Sequence, residues 1–126
     1  MPEKINSRQK GKKVERMAVH LLNGLGYPAR RTAQVMGKNE GVADILCPSL
    51  NLHIEVKGDR KIGLGTIALD DACLQAERDA CGKPWCVLWW EHRNGWRLTV
   101  RDNRYNALAT YSRAEEIGRV LETYKQ

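Results

Sequence analysis

Residues 52–57 read Leu-His-Ile-Glu-Val-Lys, and a short connection at residues 48–51 separates them from Val-Ala-Asp-Ile-Leu-Cys at residues 42–47. The alternation of apolar and polar side chains over residues 52–57 predicts a β-strand with one face in the core. The connection, Pro-Ser-Leu-Asn, is rich in turn-forming residues, so the two stretches are predicted to form an antiparallel hairpin. The rest of the chain must build a sheet and its covering layers around this hairpin.

Four groups of the hairpin could bind a metal ion and act on a phosphate. Glu55 and Lys57 share one face of their strand, Val56 takes the other, and the turn can bring Asp44 beside Glu55. Mg²⁺ prefers oxygen ligands and keeps several waters, so two carboxylates and the Val56 carbonyl would be a sufficient cradle. Lys57 could orient or help deprotonate the attacking water and stabilise charge on the phosphate. The alternative reading of Glu-x-Lys alone is a solvated strand face with a charge pair.

Two further polar residues lie on predicted helices. Glu15 borders the apolar stripe of a helix predicted over residues 7–25, from which it could reach over the sheet edge. Gln75 has a similar border position on a helix predicted over residues 66–81, where its amide could bond the metal shell or a DNA phosphate. The candidate catalytic residues are therefore Glu15, Asp44, Glu55, Lys57 and Gln75, and the candidate metal ligands are Asp44, Glu55, Glu15 and the carbonyl of Val56.

The remaining segments predict a mixed α/β architecture. They are a weak strand (29–35), a mobile polar stretch (37–41), a flexible loop (58–65), a covered central strand (85–90), a strand after the Asn94-Gly95 turn (96–100) and a last helix from Ser112. Ser112 and Glu115 have the spacing of a capping box, which predicts where that helix begins. The predicted order is α-β-β-β-α-β-β-α, a mixed β-sheet flanked by helices, in one domain over residues 1–126 whose first 13 residues could be flexible.

Composition excludes several classes of protein. The 126 residues are 42% hydrophobic and 29% charged, which is typical of a folded domain rather than a disordered chain. The longest apolar run, at residues 85–90, is far shorter than the ~20 residues of a membrane span, and no apolar run follows the basic N-terminus as in a secretory signal. The four cysteines are too sparse for a disulfide scaffold, so we expect free thiols and a cytoplasmic protein. Three of the four tryptophans fall in the apolar run and are expected in the core or an interface rather than stacked on bases.

The formal net charge of +6 suggests an anionic partner, either nucleic acid or an acidic membrane surface. No basic amphipathic helix carries the aromatic face that would suit a membrane, which favours nucleic acid. The first 16 residues hold six basic residues against two acidic ones, as a phosphate-contacting segment would. The candidate DNA contacts are Lys10, Lys12, Lys13, Arg16, Arg30, Arg31, Lys38, Arg60 and Lys61.

The stretch His53-Ile54-Glu55 matches one half of a zinc deaminase signature. The other half, Pro-Cys-x-x-Cys, is absent, because Cys81 and Cys86 have the wrong spacing and setting. Zinc is therefore disfavoured. His53 shares a face with Glu55 and could lie near the metal site, but we expect it to be a surface histidine.

Four motifs, in this order, resemble the PD-(D/E)xK nucleases and, among them, the archaeal and phage Holliday-junction resolvases. They are Gly11-Lys12-Lys13-Val14-Glu15-Arg16, Gly26-Tyr27 with Arg30-Arg31, Gly41-Val42-Ala43-Asp44-Ile45 and Ile54-Glu55-Val56-Lys57. The resemblance covers most of residues 10–90. It implies a restriction-endonuclease-like core of mixed sheet between helices, Mg²⁺-dependent phosphodiester hydrolysis with Mn²⁺ able to substitute, and homodimers that cut branched DNA.

By this resemblance, Glu15, Asp44, Glu55 and Lys57 would be the catalytic set. Two features depart from the family: Ala43 stands where the family name has proline, and Thr32 is the one hydroxyl in a segment where resolvases often have serine. The sequence thus predicts an endonuclease that resolves four-way junctions by paired nicks, through in-line attack of water that leaves a 5′-phosphate. The alternatives are a nuclease for flaps, ends or linear duplex, and a DNA-binding module that does not cleave.

Overall fold

The computed structural model describes residues 7–36, 42–102 and 104–126. Within them, one sheet of six strands is accompanied by four helices. The elements in chain order are α1 (Ser7–Gly24), β1 (Arg30–Arg31), α2 (Thr32–Met36), β2 (Ile45–Leu46), β3 (His53–Lys57), α3 (Ile67–Ala80), β4 (Trp85–Glu91), β5 (Gly95–Asp102), β6 (Ala107–Tyr111) and α4 (Ala114–Glu122).

The spatial order of the strands is their order in the chain, from β1 to β6. Among the described strands, β3 and β4 pair in parallel and all other neighbours pair antiparallel. The parallel pair requires a crossover, and α3 provides it. The sheet is therefore mixed and flanked by helices, as predicted.

Helices cover both faces of the sheet because β4, near its centre, carries buried apolar side chains on both faces, as predicted. On one face, Val14, Ala18 and Leu22 of α1 pack with Ile54 and Val56 of β3 in the larger core cluster, which also takes in α4. On the other face, the buried residues of α3 pack against tryptophans and a valine of β4. The α3 residues on this face are Leu69, Ala72, Cys73, Ala76 and Ala80. Trp85 and Trp89 are buried here, which confirms that they belong to the core.

The N-terminal half differs from the prediction in three places. The strand predicted over residues 29–35 is wrong beyond β1, because α2 begins at Thr32, whose N–H donates to the Asp44 carbonyl at 3.0 Å. The strand predicted over residues 42–47 shortens to β2, which leaves Asp44 in a bend just before it. The strand predicted over residues 52–57 begins one residue later, at His53, while the helix predicted over residues 7–25 is confirmed as α1, which ends at Gly24. The predicted mobile stretch at 37–41 and residues 1–6 lie outside the described residues.

The segments after β3 also differ in detail. β6 was not predicted, and α4 begins after Arg113 with no side-chain capping bond, so the Ser112 capping box is wrong. The tyrosine-ended β6 runs to residue 111, which leaves Ser112 as a connector between strand and helix. The loop at 58–65 is held by local hydrogen bonds and by the buried side chain of Ile62.

The chain's last residues pack onto the turn between β2 and β3. The N–H of Asn51 donates to the Tyr124 carbonyl at 2.8 Å, and the N–H of Gln126 donates to the Ser49 carbonyl at 2.9 Å. The Tyr27 hydroxyl donates to the Glu122 carboxylate, and burial together with this bond raises the pKa of Tyr27 to about 12. The two backbone hydrogen bonds hold the turn that sets Asp44 against β3, and the Tyr27 bond ties the segment after α1 to α4. In the part of the chain described, no helix has the length and apolar character needed to cross a membrane.

Candidate active site

An open pocket of about 280 Å³ lies between α1 and the end of β3. Four of the predicted site residues line it: Glu15 from α1, Asp44 from the bend before β2, and Val56 and Lys57 from β3. Lys10, a predicted DNA contact, lines it as well. The fold thus brings together groups that are separated by up to 47 positions in the chain.

Asp44 is held by the backbone of β3. The β2–β3 register pairs Ile45 with Ile54, which puts Asp44 across from Glu55. The Asp44 Oδ2 atom accepts a hydrogen bond from the Val56 N–H at 2.8 Å, and the residue is only 3% exposed. Because the N–H and C=O of one strand residue point to the same edge of the strand, the Val56 carbonyl points to the edge of β3 where the Asp44 carboxylate lies.

Glu15 reaches the pocket because α1 packs closely on the end of β3. A Cβ atom built on Gly58 would lie 2.5 Å from Cγ2 of Val14, so this approach requires glycine. The Glu15 Oε1 atom is 3.3 Å from Nε of Arg31, and both side chains are largely buried. Arg31 was predicted to hold DNA phosphate, and the structure instead pairs it with Glu15 inside the protein.

The Glu55 side chain points to the opposite face of β3 from the Val56 side chain and lies beneath α3. Its side chain is 1% exposed, and Oε1 is 2.7 Å from Nε2 of His53. Glu55 is not among the described residues that line the pocket. The prediction that His53 is a surface histidine is wrong, since the residue is 6% exposed and bonded to Glu55. The signal for this pair was the i, i+2 spacing in a strand, which places both side chains on one face.

Lys57 and Gln75 face each other across β3 and α3. The Lys57 Nζ atom donates to Oε1 of Gln75 over a long distance of 3.5 Å. Lys57 is partly exposed and lines the pocket, so its ammonium group can turn between the Gln75 amide and a ligand in the pocket.

A divalent cation fits the chemistry of this pocket, with few ligands from protein. Within residues 7–36, 42–102 and 104–126, no three His, Cys, Asp or Glu side chains form a ready metal cluster. The pocket does offer the carboxylates of Glu15 and Asp44, together with the backbone carbonyl of Val56. Such a sparse oxygen set suits Mg²⁺, which retains waters in its coordination shell.

The predicted DNA contacts fall into three groups. Lys12, Lys13 and Arg16 are exposed on α1, and Arg30, Arg60 and Lys61 are exposed on β1 and the loop after β3. Lys10 lines the pocket, and Arg31 is buried against Glu15. Lys38 lies outside the described residues. Binding of DNA by these side chains stays a prediction.

Comparison with known proteins identifies the fold. No protein-family model matches the chain, and no curated protein matches it. Among solved structures, the chain is similar to Hjc, a Holliday junction resolvase from the archaeal hyperthermophile Archaeoglobus fulgidus. The two are 24% identical, with a TM-score of 0.54, over 85% of this chain and 98% of Hjc. This likeness shows that the mixed sheet and its helices have the fold of that structure.

Proposed function

We propose that this protein is a metal-dependent DNA endonuclease that resolves four-way junctions. The observation that carries the proposal is the pocket that joins Glu15, Asp44, the Val56 carbonyl and Lys57. Carboxylates at this position oppose the attraction of phosphate in a protein of net charge +6. They become useful when a divalent cation binds there and meets the phosphate, whereas a DNA-binding module that does not cleave has no use for them.

Each residue has a role that follows from its place. The ion would be bound in the pocket by Asp44, Glu15 and the Val56 carbonyl. Glu55 would bind it from the face of β3 that α3 covers. Bound Mg²⁺ would polarise the phosphate and lower the pKa of water for in-line attack. Lys57 would orient the water and bind charge that develops on the phosphate, and Gln75 would steady Lys57 between turnovers. Mn²⁺ would substitute for Mg²⁺, because it accepts the same ligands.

The DNA backbone would lie along the exposed side of α1. Lys12, Lys13 and Arg16 are exposed on this helix, whose Glu15 reaches the pocket. Contacts of lysine and arginine with phosphate release counterions, so binding should weaken as salt rises. Likeness to a solved Holliday junction resolvase supports a junction as the substrate.

Paired nicking requires two active sites. The part of the chain that the structure describes has one such pocket, and a four-way junction has approximate two-fold symmetry, so we infer a C2 homodimer that presents two pockets to one junction. Light scattering after size exclusion should give a mass near twice 14.3 kDa, and a monomer bound to a junction would contradict paired cutting.

The deciding experiment compares labelled substrates of equal length: four-way junction, flap, linear duplex and single strand, each with Mg²⁺, Mn²⁺ or EDTA. We expect two symmetric nicks in the junction, each leaving a 5′-phosphate, with either metal and none with EDTA. Faster cleavage of a free end or a flap than of the junction would show that the protein is a nuclease for that other substrate. Junction binding with no product under any metal would instead establish a DNA-binding module.

A further inference from the structure

A buried pair of polar side chains, His53 and Glu55, lies on the face of β3 that α3 covers. The side chains are 7% and 1% exposed. The parallel register places the apolar residues Trp85 and Val87 of β4 level with them. A carboxylate in such surroundings must be hydrogen-bonded, and the contact of 2.7 Å between Nε2 of His53 and Oε1 of Glu55 meets this need.

The backbone of His53 is anchored at the start of β3. Its N–H donates to the Pro84 carbonyl at 2.8 Å, and the next residue, Ile54, continues the parallel pairing with Cys86. Burial of the side chain, which is 7% exposed, restricts the imidazole to the space beside Glu55. The main chain and the packing together support the contact with one oxygen of the carboxylate.

Histidine is well suited to hold a carboxylate that must also bind a cation. In its Nε2–H tautomer, an uncharged imidazole donates a hydrogen bond and leaves the negative charge of the carboxylate in place. A lysine or arginine donor would place a positive charge close to the ion, as Arg31 does at Glu15. The nearby ammonium group, Lys57, is instead directed to the neutral amide of Gln75.

Building on the proposed function, we propose that His53 is a positioning residue for the metal site. It holds Oε1 of Glu55, and this orients Oε2 toward the cation that Asp44 binds from across the hairpin. Carboxylate ligands are commonly held in this way, and loss of the supporting hydrogen bond lowers metal affinity or activity about 10- to 100-fold.

The test compares His53→Leu, His53→Gln and His53→Asn with wild type. Glutamine can place an N–H near the original Nε2 atom, asparagine is too short to do so, and leucine has no donor. His92→Leu is the matched control, because His92 is exposed in the turn between β4 and β5. The readouts are the Mn²⁺ dissociation constant by calorimetry without DNA, the Mg²⁺ concentration for half-maximal cleavage, and the melting temperature.

We expect the Mn²⁺ dissociation constant to rise about 10-fold or more in His53→Leu and His53→Asn, and to stay within a few-fold of wild type in His53→Gln. The Mg²⁺ requirement should rise in the same order. If the Leu variant does not fold, the contrast between Asn and Gln decides the matter. Equal Mn²⁺ affinity in all folded variants, with only melting temperatures changed, would overturn the role of His53. If wild type cuts no DNA, the proposed function fails, while calorimetry still decides whether His53 supports the metal.

Discussion

The two halves of the sheet differ in strand length and in what their side chains do. β1 and β2 have two residues each, whereas β4 and β5 have seven and eight. In the short half, a side chain replaces a backbone acceptor: the Val56 N–H donates to Oδ2 of Asp44 and not to a carbonyl of a neighbouring strand. In the long half, the ladder continues over six paired positions between β4 and β5.

The short half of the sheet carries residues of the candidate site, and the long half supports β3. Asp44 lies in the bend where the pairing of β2 with β3 stops, and Lys57 lies at the end of β3, whereas Glu55 lies within the β3–β4 ladder on the face that α3 covers. The long strands beside them are buried and hold β3 in register. Changes in the short half should therefore alter activity more than stability, and changes in the long half should do the reverse.

Asp44→Asn should have the largest effect. The amide oxygen of asparagine can still accept from the Val56 N–H, so the fold should remain, but the negative charge that attracts the cation is gone. We expect junction cleavage to fall by about 10³-fold, with junction affinity unchanged or stronger. Single-turnover cleavage and gel-shift titrations measure the two effects, and cleavage at the wild-type rate would remove Asp44 from the site.

Gly58→Ala should lower both stability and activity. Its new Cβ would lie 2.5 Å from Cγ2 of buried Val14, which should cost about 3 kcal/mol and push α1, with Glu15, away from the pocket. Urea unfolding and the Mg²⁺ requirement for cleavage measure the two consequences. The matched control is Gly63→Ala, whose Cβ would meet nothing closer than 3.7 Å. Adding Val14→Ala to Gly58→Ala removes the two closest contacts of the new Cβ, so the double variant should regain the Mg²⁺ response lost in the single variant.

Thr99→Val probes the long half of the sheet. The Thr99 hydroxyl accepts from the Trp89 indole N–H at 2.9 Å, and valine leaves that buried donor without a partner. We expect a loss of about 2 kcal/mol in the free energy of unfolding and no change in the cleavage rate per folded molecule. Thr110→Val, which removes only the outer hydroxyl of the same chain of bonds, should cost less. A large fall in cleavage by folded Thr99→Val would erase the contrast between the halves.

Cys81→Gly should have the smallest effect and the opposite sign. Cys81 ends α3 in the left-handed region, with φ of 51°, where a side chain is strained and glycine is not. We expect a gain of about 0.5–1 kcal/mol in the free energy of unfolding and unchanged cleavage. Thermal melts of the variant and wild type measure the difference, and a loss of stability would mean that the Cys81 side chain contributes more than its strain costs.

Much of the fold follows from local patterns in the sequence. The apolar stripes of α1 and α3 and the apolar run of β4 specify which of their side chains are buried, and the structure agrees. The alternation in β3 predicts a single core face, whereas the structure buries both faces, since His53 and Glu55 lie beneath α3. Asp44 and Glu55 could be placed opposite each other because turn length and strand period determine the register of a hairpin.

Other features depend on tertiary contacts that no local pattern encodes. β1 stops after Arg31 because Thr32 bonds to the bend at Asp44 and the chain turns into α2. β6 has no apolar alternation and is partly exposed, so only its pairing with β5 makes it a strand. The burial of His53 depends on α3 covering that face of β3, which spacing alone does not reveal.

The parallel pairing of β3 with β4 also bears on the order of folding. Its paired residues are 32 positions apart, whereas β4, β5 and β6 are joined by short turns. Contacts between distant residues form more slowly because more chain entropy is lost before they gain anything. We expect the β4–β6 meander to form early and the strand that carries Glu55 and Lys57 to join it late. A partly folded chain would then have its meander in place before the pocket to which Glu15, Asp44 and Lys57 contribute is assembled.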